Sequence, residues 1–168
     1  MNFPKRKYQQ DMGENLWRRS IYTHWQRQYL HPSLAAFDAP SREQCTVERA
    51  RSNTPLQALV LLNDPILVEA ARALAMRMHS EGGDEVQKRI TFAWQTVLSR
   101  VPSAQELDVM RNHHQRLLAQ YSEDPDAAKR LLAIGKHAQA SDVAAPELAA
   151  SMGLARVMLS LHESLTRY

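Results

Sequence analysis

Beyond residue 53, apolar residues recur at spacings of three and four along most of the chain, and this period indicates amphipathic helices. The clearest stripe comprises Leu67, Ala70, Ala71, Leu74, Ala75 and Met78. Similar stripes follow Asp84 and Ser103, and the second of these carries His114 on its inward side. Segment 56–62 differs because it is apolar at nearly every position, so it is predicted to be buried on most sides.

Capping and stop signals give the boundaries of these helices. Two capping boxes, in which the cap residue and the third helical residue bond to each other's backbone, are predicted at 54–57 and 103–106. Further helix starts are predicted at Asp64, Asp84, Asp124 and Pro146. Helix ends are predicted at Gly82-Gly83 and at Gly135, and residues 136–145 are predicted to form a loop.

These patterns predict an all-α fold, a compact bundle of about six helices preceded by an irregular N-terminal arm. Residues 1–53 are assigned to the arm, which is expected to pack on the bundle of residues 54–168 so that the two form one domain. The short connections favour antiparallel neighbours. Residues 19–25 could form a strand or a helix, and helix is favoured because one short strand would have no partner. More than half of all residues should be helical.

Composition limits the class of protein further. Hydrophobic residues make up 44% and charged residues 23%, which is typical of a folded globular chain. No run of about 18 apolar residues occurs, so no membrane span is predicted. Residues 1–10 are basic and polar, with no apolar segment behind them, and do not form a secretory signal. The chain is therefore either cytoplasmic or a fragment whose signal lies elsewhere.

Positive charge is concentrated near the N-terminus. Residues 1–51 contain nine Lys or Arg and five Asp or Glu, whereas residues 52–168 contain twelve and thirteen. A nucleic-acid interface would need denser basic residues with interleaved aromatic platforms. Nucleic acid is therefore an unlikely partner.

Cys45 is the single cysteine, which excludes an internal disulfide and covalent haem attachment within this chain. It could act as a nucleophile with His24 or His31 as base and Asp38 as the orienting group. The alternative, a small buried apolar side chain, is favoured because isolated cysteines usually have that role. No catalytic motif is present, so the chain is not predicted to be an enzyme.

The seven histidines do not form a metal-binding pattern. Neither a His-x-x-x-His pair nor a His-Glu-x-x-His motif occurs, and neighbours such as His113 and His114 point about 100° apart on a helix. The histidines are predicted to be scattered surface or capping residues, and no metal or other cofactor is assigned to this chain.

The densest polar cluster lies just before the apolar segment 56–62. The candidate binding residues are Arg18, Arg19, Asp38, Arg42, Cys45, Arg49, Arg51 and Asn53. Such a cluster usually fixes an irregular segment through arginine–carboxylate and arginine–carbonyl bonds, and that structural role is favoured. The alternative is an anion or carbohydrate site, or an active site, in a pocket between the arm and the Thr54 helix. If the structural role holds, Asp38 should pair with an arginine or cap the turn ahead of Arg42.

The same region carries a family resemblance. The stretches involved are Arg18–Thr23, Phe37–Pro40 with Arg42, Cys45, Arg49 and Arg51, Asn53–Leu59 with Leu61–Pro65, Val97–Ser103 with Glu106-Leu107, and Leu159–Glu163. Together they resemble the planctomycete-type PSD domain, a domain of unknown function. The resemblance covers about residues 8–167, with mild departures at Glu48, Ser52 and Ser160.

The resemblance implies a wider protein context. Domains of this kind follow planctomycete-type cytochrome c domains in large exported proteins, so this chain would be a fragment of such a polypeptide in the periplasm or outside the cell. Haem would then belong to a neighbouring domain. The favoured function is a non-catalytic accessory or interaction domain that docks on that neighbour through its basic arm.

Aromatic residues of the arm are the predicted contacts with that neighbour. Trp17, Tyr22, Trp25 and Tyr29 fall within thirteen residues, more than a solvated arm requires. We expect them to be exposed in the isolated chain.

Overall fold

The computed structural model describes residues 11, 13–23, 31–41, 44–48, 50, 52–135 and 142–165. Of these described residues 72% are helical and none lies in a strand, so the prediction of an all-α fold is confirmed. The chain divides into two compact units, Met1–Asn53 and Thr54–Tyr168. The predicted packing of the arm on the bundle stays a prediction.

The first unit contains short helical elements joined by irregular segments. They are two 3-10 helices at Gly13–Trp17 and Ser20–Tyr22, followed by helix α1 at Pro32–Ala36. Within segment 19–25, Ser20–Tyr22 is thus helical, as favoured, while His24 and Trp25 lie outside the described residues.

Seven helices form the described part of the second unit, one more than predicted. They are α2 Pro55–Asn63, α3 Pro65–Glu81, α4 Val86–Leu98, α5 Ala104–Glu123, α6 Pro125–Leu132, α7 Ala145–Leu159 and α8 His162–Leu165. The additional one, α8, is a single turn that follows Ser160 at the end of α7.

Most predicted caps are present. Thr54 Oγ1 accepts from the Gln57 amide at 3.3 Å while Gln57 Oε1 accepts from the Thr54 amide at 3.2 Å, and Ser103 and Glu106 exchange the same pair of bonds. Asp64 and Asp124 also cap their helices through backbone amides. The prediction for Asp84 is wrong, because α4 begins one residue later with Glu85 at the cap position. Asp84 therefore lies too early to cap the first turn.

Helix α7 lies at the centre of the second unit, packed mainly against α3 and α5 and also against α6. Its buried side chains surround most of its circumference, whereas α3, α4 and α5 each contribute one buried stripe. The core consists of Val68, Ala71, Leu74, Ala75, Met78, Ile90, Ala93, Trp94, Met110, Leu148, Met152, Leu154, Ala155 and Met158.

Helix α2 departs from the prediction that it is buried on most sides. Leu56, Leu59 and Leu62 are 56%, 57% and 39% exposed, and the buried residue of this helix is Gln57. The reason is that α2 packs with one side only against α3 and α7. That side carries the side-chain amide of Gln57, which forms part of the capping box. Leu56, Leu59 and Leu62 are three residues apart and therefore lie on the opposite side of the helix.

Candidate functional site

The structure describes only some of the predicted binding residues of the arm. Arg18, Arg19 and Asn53 are exposed. Cys45 is an exposed free thiol, so the prediction that it is a buried apolar side chain is wrong; its neighbours in segment 44–48 are exposed as well. Arg42, Arg49 and Arg51 lie outside the described residues, and so does His24. The predicted arginine cluster as a whole stays a prediction.

Asp38 has a clear structural role within the first unit. Its Oδ2 accepts from the Ser52 amide at 2.8 Å and from the Ser52 hydroxyl at 2.7 Å. Asp38 has a left-handed backbone with φ 56°, a conformation that aspartate tolerates better than most residues. The carboxylate thereby joins Asp38 to Ser52, two residues that lie on either side of Cys45 in the sequence. The prediction that Asp38 pairs with an arginine or caps the turn ahead of Arg42 stays a prediction, because Arg42, Arg49 and Arg51 lie outside the described residues.

The arm also exposes apolar groups. Trp17, Ile21 and Tyr22 are 46%, 73% and 71% exposed, which confirms the expectation for the two aromatic residues. Trp25 and Tyr29 lie outside the described residues. Exposed aromatic side chains are enriched in interfaces because each supplies a large apolar area at small entropic cost.

A second exposed apolar surface lies on α2, and we call Leu56, Leu59 and Leu62 the α2 stripe. The helix is held in place from both ends. The capping box fixes its first turn, and the Arg156 guanidinium from α7 donates to the Leu62 carbonyl in its last turn. The sequence of α2, PLQALVLLN, contains no charged residue. The stripe is therefore an uncharged apolar surface on a helix that is bonded at both ends.

A cluster of polar groups lies where α3, α4, α5 and α7 meet, and it is partly buried. His79 Nε2 lies 2.9 Å from Ser151 Oγ, and Glu147 Oε1 lies 3.2 Å from Arg89 Nη1 and 3.7 Å from His114 Nε2. His114 is 3% exposed and Ser151 is 1% exposed. We call these five residues, His79, Arg89, His114, Glu147 and Ser151, the histidine cluster. The prediction of surface or capping histidines is wrong for His114.

Burial dominates the ionisation of the two histidines. It lowers the pKa of His79, with Arg89 and His114 acting in the same direction and Glu147 acting against them. It also lowers the pKa of His114, where Glu147 opposes the effect and Arg89 and His113 add to it. The lowered pKa values favour the neutral form of both imidazoles, in which one ring nitrogen donates and the other accepts a hydrogen bond.

The pairing of Ser151 with His79 resembles a nucleophile and its base, but its surroundings do not suit catalysis. Ser151 lies in the middle of α7 and is closed off from solvent, so no substrate reaches its hydroxyl. An open groove of about 430 Å³ lies between α3, α4 and α5, and none of the five residues lines it. We therefore interpret the histidine cluster as a structural set of polar contacts, one between His79 and Ser151 and one among Arg89, His114 and Glu147.

Arg100 lies between α4 and α5 and bonds to two carboxylates. Its guanidinium makes paired bonds to Glu106 at 2.7 and 3.0 Å and to Glu163 of α8 at 2.7 and 2.8 Å, and lies 5.5 Å from the centre of the Trp94 ring. Arg100 and the amide of Ser103 lower the pKa of Glu106 to about 2. Two of the stretches that carry the family resemblance, 97–107 and 159–163, therefore meet at this arginine.

The described residues contain no group of three or more His, Cys, Asp or Glu side chains placed to hold a metal ion. Among the helices of the described ranges, none combines the length and apolar character required to cross a bilayer. These findings concern those ranges alone.

Comparison with known protein families gives a match over the N-terminal two thirds of the chain. The profile of the family PSD1, described as a protein of unknown function (DUF1553), matches residues 1–114. No curated protein and no solved structure matches the chain. The matched residues contain the arm, α2, α3, α4 and the first half of α5. Since they make up more than half of the sequence, the chain belongs to the PSD1 family, whose members have no known function.

Proposed function

We propose that this chain is a non-catalytic interaction domain that docks, through the α2 stripe, on a neighbouring domain of a larger exported polypeptide. The observation that carries the proposal is the exposure of Leu56, Leu59 and Leu62 on a helix that is fixed at both ends. The exposed aromatic residues of the arm provide a further apolar surface for the same role. The neighbour would be the cytochrome c domain implied by the resemblance, and it would hold the haem.

The size of the α2 stripe favours a covalently attached partner over a free one. The exposed fractions of its leucines add up to about one and a half side chains, and a fully buried leucine contributes roughly 1.5–3 kcal/mol. Complete burial of the stripe would thus contribute about 2–5 kcal/mol. Free association costs roughly 4–15 kcal/mol in lost translation and rotation. A tether removes most of that cost by raising the effective concentration.

Hydrogen exchange in the intact polypeptide that carries this chain tests the proposal. We expect the amides of α2 to exchange more slowly there than in the isolated chain. The double variant Leu56→Gln/Leu59→Gln should abolish the difference, because the polar amides oppose burial of the stripe. The matched control is Val109→Gln, which changes an apolar residue of α5 that is 65% exposed. Equal exchange of α2 in both contexts would contradict docking through this helix.

Two further measurements separate the parts of this proposal. Sedimentation of the isolated chain at high concentration should show a monomer, because the stripe alone is too small to hold a dimer. Fractionation of the source cells should place the polypeptide outside the cytoplasm. A cytoplasmic polypeptide with a protected α2 would refute export but not docking.

A further inference from the structure

The histidine cluster places ionisable groups at the centre of the second unit. Its members come from four helices, with His79 on α3, Arg89 on α4, His114 on α5, and Glu147 and Ser151 on α7. Helix α7 has the most extensive packing in this unit, and residues 148–152 along it are all buried. A charge introduced on the buried His114 ring, or against the buried Ser151 hydroxyl, is therefore introduced where water solvates it poorly.

The cluster is electrically balanced only when both imidazoles are neutral. Glu147 supplies one negative charge, and the Arg89 guanidinium at 3.2 Å supplies one positive charge. Arg89 also donates from Nε to the Gly83 carbonyl at 2.8 Å, which holds it beside the carboxylate. Protonation of one histidine adds a positive charge near Glu147, whose carboxylate is already paired with Arg89. Protonation of both leaves three cations around one anion.

The charged and ionisable groups that affect the pKa of each imidazole belong to several helices. His79 is influenced by Arg89, His114 and Glu147, while His114 is influenced by Arg89, Glu147 and its own neighbour His113. Only Glu147 favours the charged imidazoles; Arg89, the other histidines and burial all oppose them. In addition, a protonated His79 can only donate to Ser151 Oγ, so the hydroxyl must then point its own proton elsewhere.

We propose that the histidine cluster is an acid-sensitive switch in which protonation of His79 and His114 loosens the first turns of α7 from α3 and α5. Above pH 6.5 the positive and negative charges of the cluster cancel, and the helices stay packed. Below that pH the opened form gains protons that the packed form excludes, and each such proton favours opening by up to about tenfold per pH unit. The released segment is the part of α7 that begins after residue 144.

Site-resolved amide exchange at pH 7.5 and pH 5.5, corrected for the intrinsic pH dependence of exchange, tests the switch. We expect protection of amides 149–153 to fall further than protection in the second half of α5, by up to about tenfold for each histidine. The double variant His79→Gln/His114→Gln should lose this difference. The control His162→Gln, which changes a histidine of α8 outside the cluster, should keep it. No selective loss in the unmodified chain, or the same loss in the double variant, would overturn the proposal.

A second measurement covers the case in which the double variant does not fold. The imidazole signals of His79 and His114 in the unmodified chain should titrate below their ordinary value of 6.5, together with a change in the amide signals of 149–153. Titration of either ring at or above 6.5 would overturn the proposal, and so would titration without a response in α7.

Discussion

Two residues other than glycine adopt the left-handed backbone conformation in the described part of the chain, Asp38 with φ 56° and Ser99 with φ 58°. That conformation costs an ordinary residue roughly 1–2 kcal/mol. Asp38 obtains two hydrogen bonds to Ser52 in this geometry. Ser99 ends α4, with its amide bonded to the Gln95 carbonyl, at the kind of position where glycine is common.

Replacement of Ser99 by glycine should therefore stabilise the chain. Glycine removes the steric cost of the left-handed conformation but loses more entropy on folding, so the expected net gain is about 0.5–1 kcal/mol. Urea denaturation of Ser99→Gly measures the change. Ser99→Ala is the matched control and should be no more stable than the original chain. A destabilised glycine variant would show that the Ser99 side chain supports the turn.

Asp38 is expected to act as a structural acceptor rather than as part of an anion site. Asp38→Asn keeps an acceptor oxygen and tolerates the left-handed backbone, so its stability should be nearly unchanged. Asp38→Ala loses both bonds to Ser52, and because these bonds lie at the surface the loss should be about 1 kcal/mol. Thermal melts with and without sulfate check this. A sulfate-dependent rise in melting temperature in Asp38→Ala would instead support the anion-binding alternative.

At the scale of elements, α8 depends on a side-chain contact for its position. It contains only four residues, too few for a helix to be stable by itself, and Glu163 joins it to Arg100 through two short bonds. We expect Glu163→Gln to speed amide exchange in 162–165, because a neutral amide forms only one of the two bonds to the guanidinium. Exchange in α5 should not change, since Glu106 retains its own pair of bonds. Unchanged exchange in α8 would contradict this role of Glu163.

Helix boundaries could be predicted from the sequence because capping is local. The side chains of Thr54, Asp64, Ser103 and Asp124 bond to amides two or three residues away, so the pattern contains all the necessary information. The burial of α2 could not be predicted in this way. Its sequence is apolar all around, and only the tertiary packing against α3 and α7 decides which side faces solvent.

The histidine cluster could not be predicted from the sequence either, because it depends on tertiary packing. His79, His114 and Ser151 are separated by 35 residues or more, and no spacing rule connects them. One signal was present, because His114 falls on the apolar side of its helix, where a buried polar residue needs a partner on another helix. The sequence does not indicate which helix supplies that partner. The arginine cluster of the arm was inferred from proximity along the chain, which is weaker evidence than helical spacing.

At the scale of the whole molecule, two sets of groups make stability depend on pH in separate ranges. The pKa values of His79 and His114 are lowered from 6.5, so the folded form binds fewer protons than the unfolded form below that pH. The pKa of Glu106 is lowered from 4.5 to about 2, and Arg100 also lowers that of Glu163. In both sets the lowered pKa means that stability rises with pH across the range concerned.

The free energy of unfolding is therefore expected to decline in two steps as pH falls. Stability from the histidines is fully present above pH 6.5 and is lost below it, whereas stability from Glu106 is present above pH 4.5 and is lost as pH falls toward about 2. Glu106→Gln separates the steps, because glutamine has no carboxylate to protonate and forms only one bond to Arg100. Urea denaturation between pH 8 and pH 3 should show a variant that is less stable above pH 5 and approaches the original chain in acid. Its decline between pH 6.5 and pH 5 should match that of the original chain, because the histidine cluster is intact. A constant difference between the two chains down to pH 3 would mean that Glu106 is not ionised in its bond to Arg100.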